Sequence, residues 1–346
     1  MKNVKKLISG VILGALSISL LAGCGGTKTE KTNSNTEEVK EITAYGVIDP
    51  QISAQQIIAD KKGYFEEEGL KVTNKLLQQG GDISPLVSGG TAEVSFESTY
   101  TDISLAANGV DVKILSTMSN SGNTQCVVAG KNSGITKAKD LEGKKVGIGS
   151  GAAVLIAIRN MCKELNVDID KIKFVTLAPS DQISSLEKGD IDAMACWEPW
   201  VSNAVEAGGT LLFSGLQSYF PEKSGSVNWL NFHTTFQVTG DFLKKNPKTC
   251  EAMLRALKKA TDFINENQDE AAEIIAKEIN LTTEEVKNIM SKNEYTMNFD
   301  QNFVDSSNEI ADFMLEMENI KKKPEFSSYA DSTPLKNAVP ELVTVE

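Results

Sequence analysis

The sequence predicts an α/β protein built as two similar lobes with mixed, mostly parallel sheets. Three observations carry this expectation. From Ile42 onward, short β-rich runs alternate with amphipathic helical runs, the pattern of βαβ units. A repeat stands at an offset of 100 residues, where Ile83, Ser84, Leu86 and Gly89 match Ile183, Ser184, Leu186 and Gly189. The length, 346 residues with 40% hydrophobic and 24% charged, is that of a globular chain, and it suits two domains of about 150 residues each.

The elements follow in chain order. Lys2, Lys5 and Lys6 precede a charge-free apolar run from Leu7 to Leu21, the n-region and h-region of a secretory signal. It ends at Leu21-Ala22-Gly23-Cys24, which resembles a bacterial lipobox and makes Cys24 the expected lipid-acylated first residue of the mature chain. The competing reading is a signal anchor kept as a transmembrane helix, because uncharged residues continue to Thr27 and approach the ~20 that a span needs. Dilution of the run by Ser and Gly, and its stop on a cysteine, favour cleavage. The predicted divisions are therefore a signal over 1–23 and a flexible tether over 24–41, polar and without aromatics. Loss of the signal removes three lysines and no acids, so the formal charge moves from −12 to −15.

Strands are predicted at Ile42–Val47, Leu70–Leu76, Glu93–Phe96, Val112–Met118, Lys145–Ile148, Lys173–Leu177, Ala193–Cys196 and Thr210–Phe213, with helices between them. The first helix is expected to start at Ser53, whose spacing to Gln56 forms a Ser-x-x-Gln capping box, and to stop at Gly63. Beyond Asn246-Pro247 the pattern is nearly continuous helix. Met253, Leu254, Leu257, Phe263 and Ile264 share an apolar face, and Thr282 with Glu285 opens a later helix as a second capping box.

The composition excludes several functions. His233 is the single histidine, so no site can use two imidazoles, and a Ser-His-Asp system would rest wholly on it. A charge of −12 argues against nucleic acid, which is bound through clustered Lys and Arg. Arg159 and Arg255 are the only arginines, so bidentate anion clamps are scarce. Cys126, Cys162, Cys196 and Cys250 have wide spacings and no CxxC; buried thiols are the default, and a disulfide has no sequence basis for its partners. No nucleophile elbow, P-loop or metal-spacing motif occurs, which points to binding rather than catalysis with no cofactor or metal.

Several segments together resemble one family. Ala59-Asp60-Lys61-Lys62-Gly63-Tyr64-Phe65, Glu68-Gly69-Leu70-Lys71-Val72, Asp140-Leu141-Glu142-Gly143-Lys144-Lys145-Val146-Gly147, Gly189-Asp190-Ile191-Asp192-Ala193 and Trp197-Glu198-Pro199 are similar, in order from residue 42 to about 280, to the nitrate/sulfonate/taurine/bicarbonate solute-binding proteins of ABC importers. The thiamine-precursor pyrimidine binders are close relatives. The resemblance implies a periplasmic-binding-protein type II fold with two interlobe crossovers. Lobe 1 would be 42–128, lobe 2 would be 129–231, and 232–346 would return to lobe 1 and finish in C-terminal helices. It also implies a monomer on the extracytoplasmic face of the cell membrane, with a small-molecule ligand, a permease and an ATPase as partners.

Site candidates come from the loops beyond the strand ends, where ligands sit in open parallel sheets. Gly147-Ile148-Gly149-Ser150-Gly151-Ala152 follows a strand and satisfies GxGxxA, but no acidic residue ends the next strand as a dinucleotide fold wants. Ser150, Gly151 and Ala152 are instead a candidate anion seat at a helix start, the plainer alternative being an ordinary Ser N-cap. Trp197 and Glu198 are candidates for stacking and for accepting an N–H; equally, Glu198 suits a helix start and Trp200 a core position. Glu97, Ser98 and Thr99 occupy the matching loop of lobe 1, with solvated loop residues as the alternative. Gln51 and Ser53 are predicted to face the cleft, Ser119 and Asn120 are weaker candidates, and His233 reads as structural. The expected ligand is a small anion of the sulfonate, taurine or nitrate type, taurine placing its anion at Ser150–Ala152 and its ammonium at Glu97 or Glu198; the alternative is an aminopyrimidine or other heteroaromatic stacked on Trp197 between the two glutamates. An enzyme on the same fold, pyrimidine synthase-like or a small-acid dehydratase, is the alternative of another class.

Overall fold

β-rich runs and helical segments assemble into two mixed sheets in a computed structural model that describes residues 38, 40–78, 80–149 and 152–345. Cys24, the signal and almost all of the tether lie outside the described residues, as do Ser150 and Gly151. In chain order the strands are β1 (Glu41–Val47), β2 (Lys71–Leu77), β3 (Val94–Ser98), β4 (Val112–Asn120), β5 (Cys126–Ala129), β6 (Lys145–Ile148), β7 (Lys173–Thr176), β8 (Ala193–Cys196), β9 (Thr210–Ser214), β10 (Gln217–Phe220), β11 (Lys223–Ser226), β12 (His233–Thr239) and β13 (Glu294–Tyr295). The first sheet runs β13-β4-β12-β3-β1-β2 and the second β11-β10-β9-β5-β8-β6-β7.

Each sheet repeats one plan. Parallel trios β2-β1-β3 and β7-β6-β8 form one half, and an antiparallel strand lies beside the third member, β12 against β3 and β5 against β8. Those two strands are the first ones reached after the chain crosses between sheets, so crossing makes the remaining half of each sheet antiparallel. The α/β class and the two mixed sheets are as the sequence predicts. Five strands were not: β5, β10, β11, β12 and β13. β12 reads His-Thr-Thr-Phe-Gln-Val-Thr; Thr235 to Thr239 alternates, but five of the seven residues are polar and four of those are buried, because the strand sits mid-sheet and is covered on both faces. β5 hydrogen-bonds to β8 and β9, so Cys126, Val127 and Val128 belong to the second sheet and the first crossing lies ahead of Cys126 rather than after residue 128.

The first helix, Pro50–Lys61, starts three residues earlier than the Ser-x-x-Gln spacing predicts. Asp49 is its N-cap, extended at φ −155°, with Oδ1 accepting from the Gln51 N–H at 2.8 Å, and Pro50 takes the first helical position. Ser53 instead lies inside the helix, where its Oγ accepts from the Val47 N–H at 2.9 Å and ties the helix to the end of β1. The predicted Thr282/Glu285 capping box is present, with reciprocal bonds of 3.2 and 2.8 Å. The tether ends sooner than expected, since Glu38 already accepts from the Thr249 N–H at 2.8 Å, at the start of helix Pro247–Glu266. A carboxylate suits that positive helix end. Met253, Leu254, Leu257 and Ile264 of the predicted apolar face are buried, while Phe263 sits half-buried under the Lys62 ammonium, 4.4 Å from the ring centroid. Among the described residues no helix is long and apolar enough to cross a membrane.

The two crossings, residues 121–125 and 227–232, run side by side. The Ser121 N–H donates to Phe232 O at 2.8 Å, and the Gly215 N–H to Gly122 O at 3.0 Å. Asn120, at the end of β4, joins both strands of the junction: Oδ1 accepts from Gly122 N at 3.1 Å and Phe232 N at 3.2 Å, while Nδ2 donates to Asn231 at 2.7 Å. The backbones approach so closely that a Cβ on Gly122 would stand 2.3 Å from Leu230 O. A backbone carbonyl cannot swing aside as a flexible side chain can. Gly122→Ala should therefore lower stability by about 1–3 kcal/mol in thermal denaturation. Gly81→Ala, with nothing within 4 Å of its Cβ, should stay within about 0.5 kcal/mol of the parent.

Candidate binding cleft

The carboxyl ends of β1, β3, β6, β7 and β8 converge on one cavity of about 740 Å³ between the two sheets. Its floor on one side is the loop and helix start from Val47 to Ile52, with Ser98, Tyr100 and Thr101 beyond β3. Opposite stand Ala152 and Ala153 beyond β6, Pro179 beyond β7, and the run Trp197 to Trp200 beyond β8. The crossings contribute Gln125 and Phe232. The cavity thus has aromatic walls, polar groups from both sides, and a place at the strand-end crevice where α/β sheets hold ligands.

The local sequence explains each position. Helix Thr99–Ala107 is capped by Ser98, whose Oγ accepts from Thr101 N at 3.4 Å, and this cap brings Ser98 and Thr101 to the cleft edge. The helix after the Gly-rich turn begins at Val154, later than the predicted anion seat, and the Ala152 N–H is turned to Gly149 O at 3.3 Å. Of the predicted seat, then, Ala152 lines the cleft with its amide engaged. Trp197 lies against the same turn, 3.9 Å from where a Cβ on Gly149 would be.

The cleft lining carries two acidic residues, one beyond β1 and one beyond β8. Asp49, from the first lobe, is held by the Gln51 amide, whose Nε2 donates to Oδ1 at 3.1 Å and Oδ2 at 2.9 Å. Burial pushes the Asp49 carboxyl up to about 6 against these hydrogen bonds, and the charge of Glu198 adds to the rise. Glu198, from the second lobe, is 1% exposed. It accepts from Ser202 N at 3.1 Å and forms an ion pair with Lys292. Among the described residues that line the cavity none is Arg or Lys.

Of the sequence-predicted residues, the fold gathers Gln51, Ser98, Ala152, Trp197 and Glu198 at the cavity. Ser53 lies beneath it. Glu97 and Thr99 are turned away, a correction to the expected loop: both are fully buried, Thr99 Oγ1 donating to His233 O at 3.0 Å. Residues 98 and 101 face the cleft as the chain leaves β3, so Glu97, one step earlier on the strand, points through the opposite face. The Gln51 backbone carbonyl accepts from Ser119 Oγ at 2.9 Å and Thr234 Oγ1 at 3.1 Å; Ser119 and Asn120 therefore brace the cleft rather than line it. His233 is structural as read, buried with Ser306 Oγ 3.1 Å from Nδ1, and burial lowers it to about 4. Asp49, Tyr100, Thr101, Phe232 and Thr234 are cleft residues that the sequence reading did not select. Asp49-Pro50 did carry a signal, an N-cap followed by the favoured first helical residue.

Polar clasps span the lobes on both margins. Besides Lys292 with Glu198, Asn288 Nδ2 donates to Ser202 Oγ at 2.8 Å. On the other side Arg159 meets Glu316 at 2.8 Å and Asn160 Nδ2 donates to Glu309 at 2.8 Å.

Residues 52–271 match the family described as NMT1/THI5 like. The chain belongs to that family. Across 339 residues, 96% of this chain and 97% of the other, it is 25% identical to a Bacillus subtilis protein provisionally named for binding aliphatic sulfonates. It is also 25% identical over 217 residues, 60% of this chain and 61% of the other, to the 4-amino-5-hydroxymethyl-2-methylpyrimidine phosphate synthase of Aspergillus parasiticus. The periplasmic aliphatic sulphonate binding protein SsuA of Escherichia coli superposes with a TM-score of 0.71 at 16% identity, covering 84% of this chain and 92% of that one. This member of the NMT1/THI5-like family therefore has the type II periplasmic-binding-protein fold that its sequence resemblance implied, and stands close to extracytoplasmic solute-binding proteins.

Behind β3 the first lobe holds a second acidic pair. Thr235 Oγ1 donates to Asp102 Oδ2 at 2.6 Å, yet burial still pushes Asp102 up to about 8. Burial and the neighbouring Asp102 carry Glu97 well above the carboxylate range. At these two groups the folded chain keeps protons that the unfolded chain releases, so their contribution to stability is fully present below about pH 4 and is lost as pH rises toward the folded-state values, by up to about 1.4 kcal/mol per pH unit for each group. Asp102→Asn should flatten the fall in melting temperature between pH 5 and 8, measured in parallel scans with the parent chain.

Proposed function

We propose that this protein is the extracytoplasmic solute-binding lipoprotein of an ABC importer, anchored through Cys24, and that it captures a flat nitrogen heterocycle of the aminopyrimidine type between its lobes. The observation that carries the ligand class is the pairing of Asp49 and Glu198 across an aromatic-walled cleft lined, among the described residues, by no Arg or Lys. An anion entering there would meet two carboxylates, of which only Glu198 is neutralised by Lys292. A ring bearing amino groups instead gives N–H donors to both acids and a face to Trp197, and charge-assisted hydrogen bonds of this kind each contribute about 1.5–3 kcal/mol. The lipobox and signal support export, and the lobes with their clasps support capture by closure onto the ligand, with delivery to a permease and its ATPase.

A small sulfonate is the second reading, favoured by the Bacillus subtilis relative that matches along nearly the whole chain. Titration calorimetry separates the two. The pyrimidine reading expects 4-amino-5-hydroxymethyl-2-methylpyrimidine to bind and taurine and ethanesulfonate to give no heat. Glu198→Gln should then weaken binding roughly 30-fold, the equivalent of about 2 kcal/mol for one charged acceptor. Since Asp49 is a charge-assisted acceptor only when ionised and its carboxyl sits at about 6, affinity should hold above pH 7 and decline below pH 6; Asp49→Asn should remove that decline. Tight binding of taurine with no response to the pyrimidine would overturn the heterocycle reading in favour of the sulfonate.

A further inference from the structure

The four described body cysteines are free and buried, but two of them are not randomly placed. β5 and β8 pair antiparallel with Cys126 directly opposite Cys196, followed by Val127 with Ala195 and Val128 with Met194. Directly opposed residues of an antiparallel pair project to the same face with Cα atoms about 4.5–5.5 Å apart. A disulfide needs about 4.4–6.8 Å, so the register supplies the geometry without moving a strand. Both side chains lie in the same small apolar cluster with Val128, Met194 and Val201, on one face of the second sheet. Cys162 and Cys250 sit on separate helices, Val154–Glu164 and Pro247–Glu266.

We infer that Cys126 and Cys196 are a modification site, a cross-strand pair that closes to a disulfide in an oxidising compartment and ties the first crossing to the loop of Trp197 and Glu198. Gln125 and Trp197, the residues flanking the two sulfurs, both line the cleft. The bond would therefore fix two cleft walls to each other and close a loop containing β6, β7 and their helices. In the step each thiol loses a hydrogen, the Cys126–Cys196 sulfur bond forms, and the sulfur bond of a small-molecule disulfide such as oxidised glutathione is cleaved to two reduced thiols. The route has a timing. Burial pushes the Cys196 thiol up to about 12 and Cys126 higher still, and both are sealed from solvent, so thiolate attack is slow once the lobe has packed. Pairing belongs to folding, before the cluster closes.

The test uses the full chain, reduced, unfolded in guanidinium, and refolded with mixed reduced and oxidised glutathione. Non-reducing peptide mapping after alkylation should find Cys126 joined to Cys196, with Cys162 and Cys250 alkylated, and a melting temperature roughly 5 °C or more above that of the reduced protein. The same glutathione mixture, applied to chain already folded in the reduced state, should form the link at least about tenfold more slowly, as the burial of both thiols requires. Cys126→Ser and Cys196→Ser should each lose both link and gain; Cys162→Ser should keep both. Mapping of chain exported by a host into an oxidising compartment gives a reading that does not depend on refolding. Alkylated or glutathione-capped Cys126 and Cys196 in either preparation, or their bonding to other cysteines, would overturn the inference, as would a link that leaves the melting temperature unchanged.

Discussion

The molecule depends on one close approach: two stretches of backbone, near Gly122 and near Gly215 to Leu230, pass with no room for a side chain between them. Everything that makes the lobes a pair runs through this point. The carboxamide of Asn120 satisfies an amide from each crossing with one oxygen, so the direction in which the chain leaves the first sheet also fixes the direction in which it returns. Because each return adds an antiparallel strand beside a parallel trio, β5 in one sheet and β12 in the other, the junction also sets the sheet order. The strand ends that make the cleft are held in register by that order.

The cleft joins two kinds of electrostatic economy. Its acids are kept partly or wholly from water, yet each is given donors: the Gln51 amide for Asp49, and Lys292 with a backbone N–H for Glu198. Desolvation raises the free energy of a carboxylate, and a ligand that supplies further N–H donors recovers more there than it would at an exposed acid. The pair behind β3 shows the other outcome. Burial and the neighbouring Asp102 raise the Glu97 carboxyl well above its ordinary value, and Thr101 offsets only part of that rise.

Much of the fold was legible because periodicity and caps are local. β6 and β8 have the predicted limits, and the Thr282 box stands where its spacing placed it. What was not legible required knowing which side of a strand faces which space. Glu97 and Ser98 are neighbours in sequence, and a period of two residues sends one into the lobe and the other to the cleft. β12 was missed because five of its seven residues are polar, a composition that hides a strand buried on both faces even though Thr235 to Thr239 alternates. Lys292 carries no local mark at all; it matters only because the chain, 94 residues after Glu198, returns across the cleft. Ser53 was misread for a subtler reason, since two hydroxyl or carboxyl caps were available within five residues and Pro50 decides for Asp49.

The clasps have an arrangement with a consequence for how such a protein can change. Every partner that the first lobe offers, Asn288, Lys292, Glu309 and Glu316, comes from the C-terminal segment, and none of the four lines the cavity. The balance between open and shut lobes can therefore drift through substitutions at Glu309 and Glu316 while the ligand contacts stay as they are, whereas Lys292 also holds the cleft acid Glu198. At the outer margin capture strength can be tuned apart from chemical preference; at Lys292 the two are tied together.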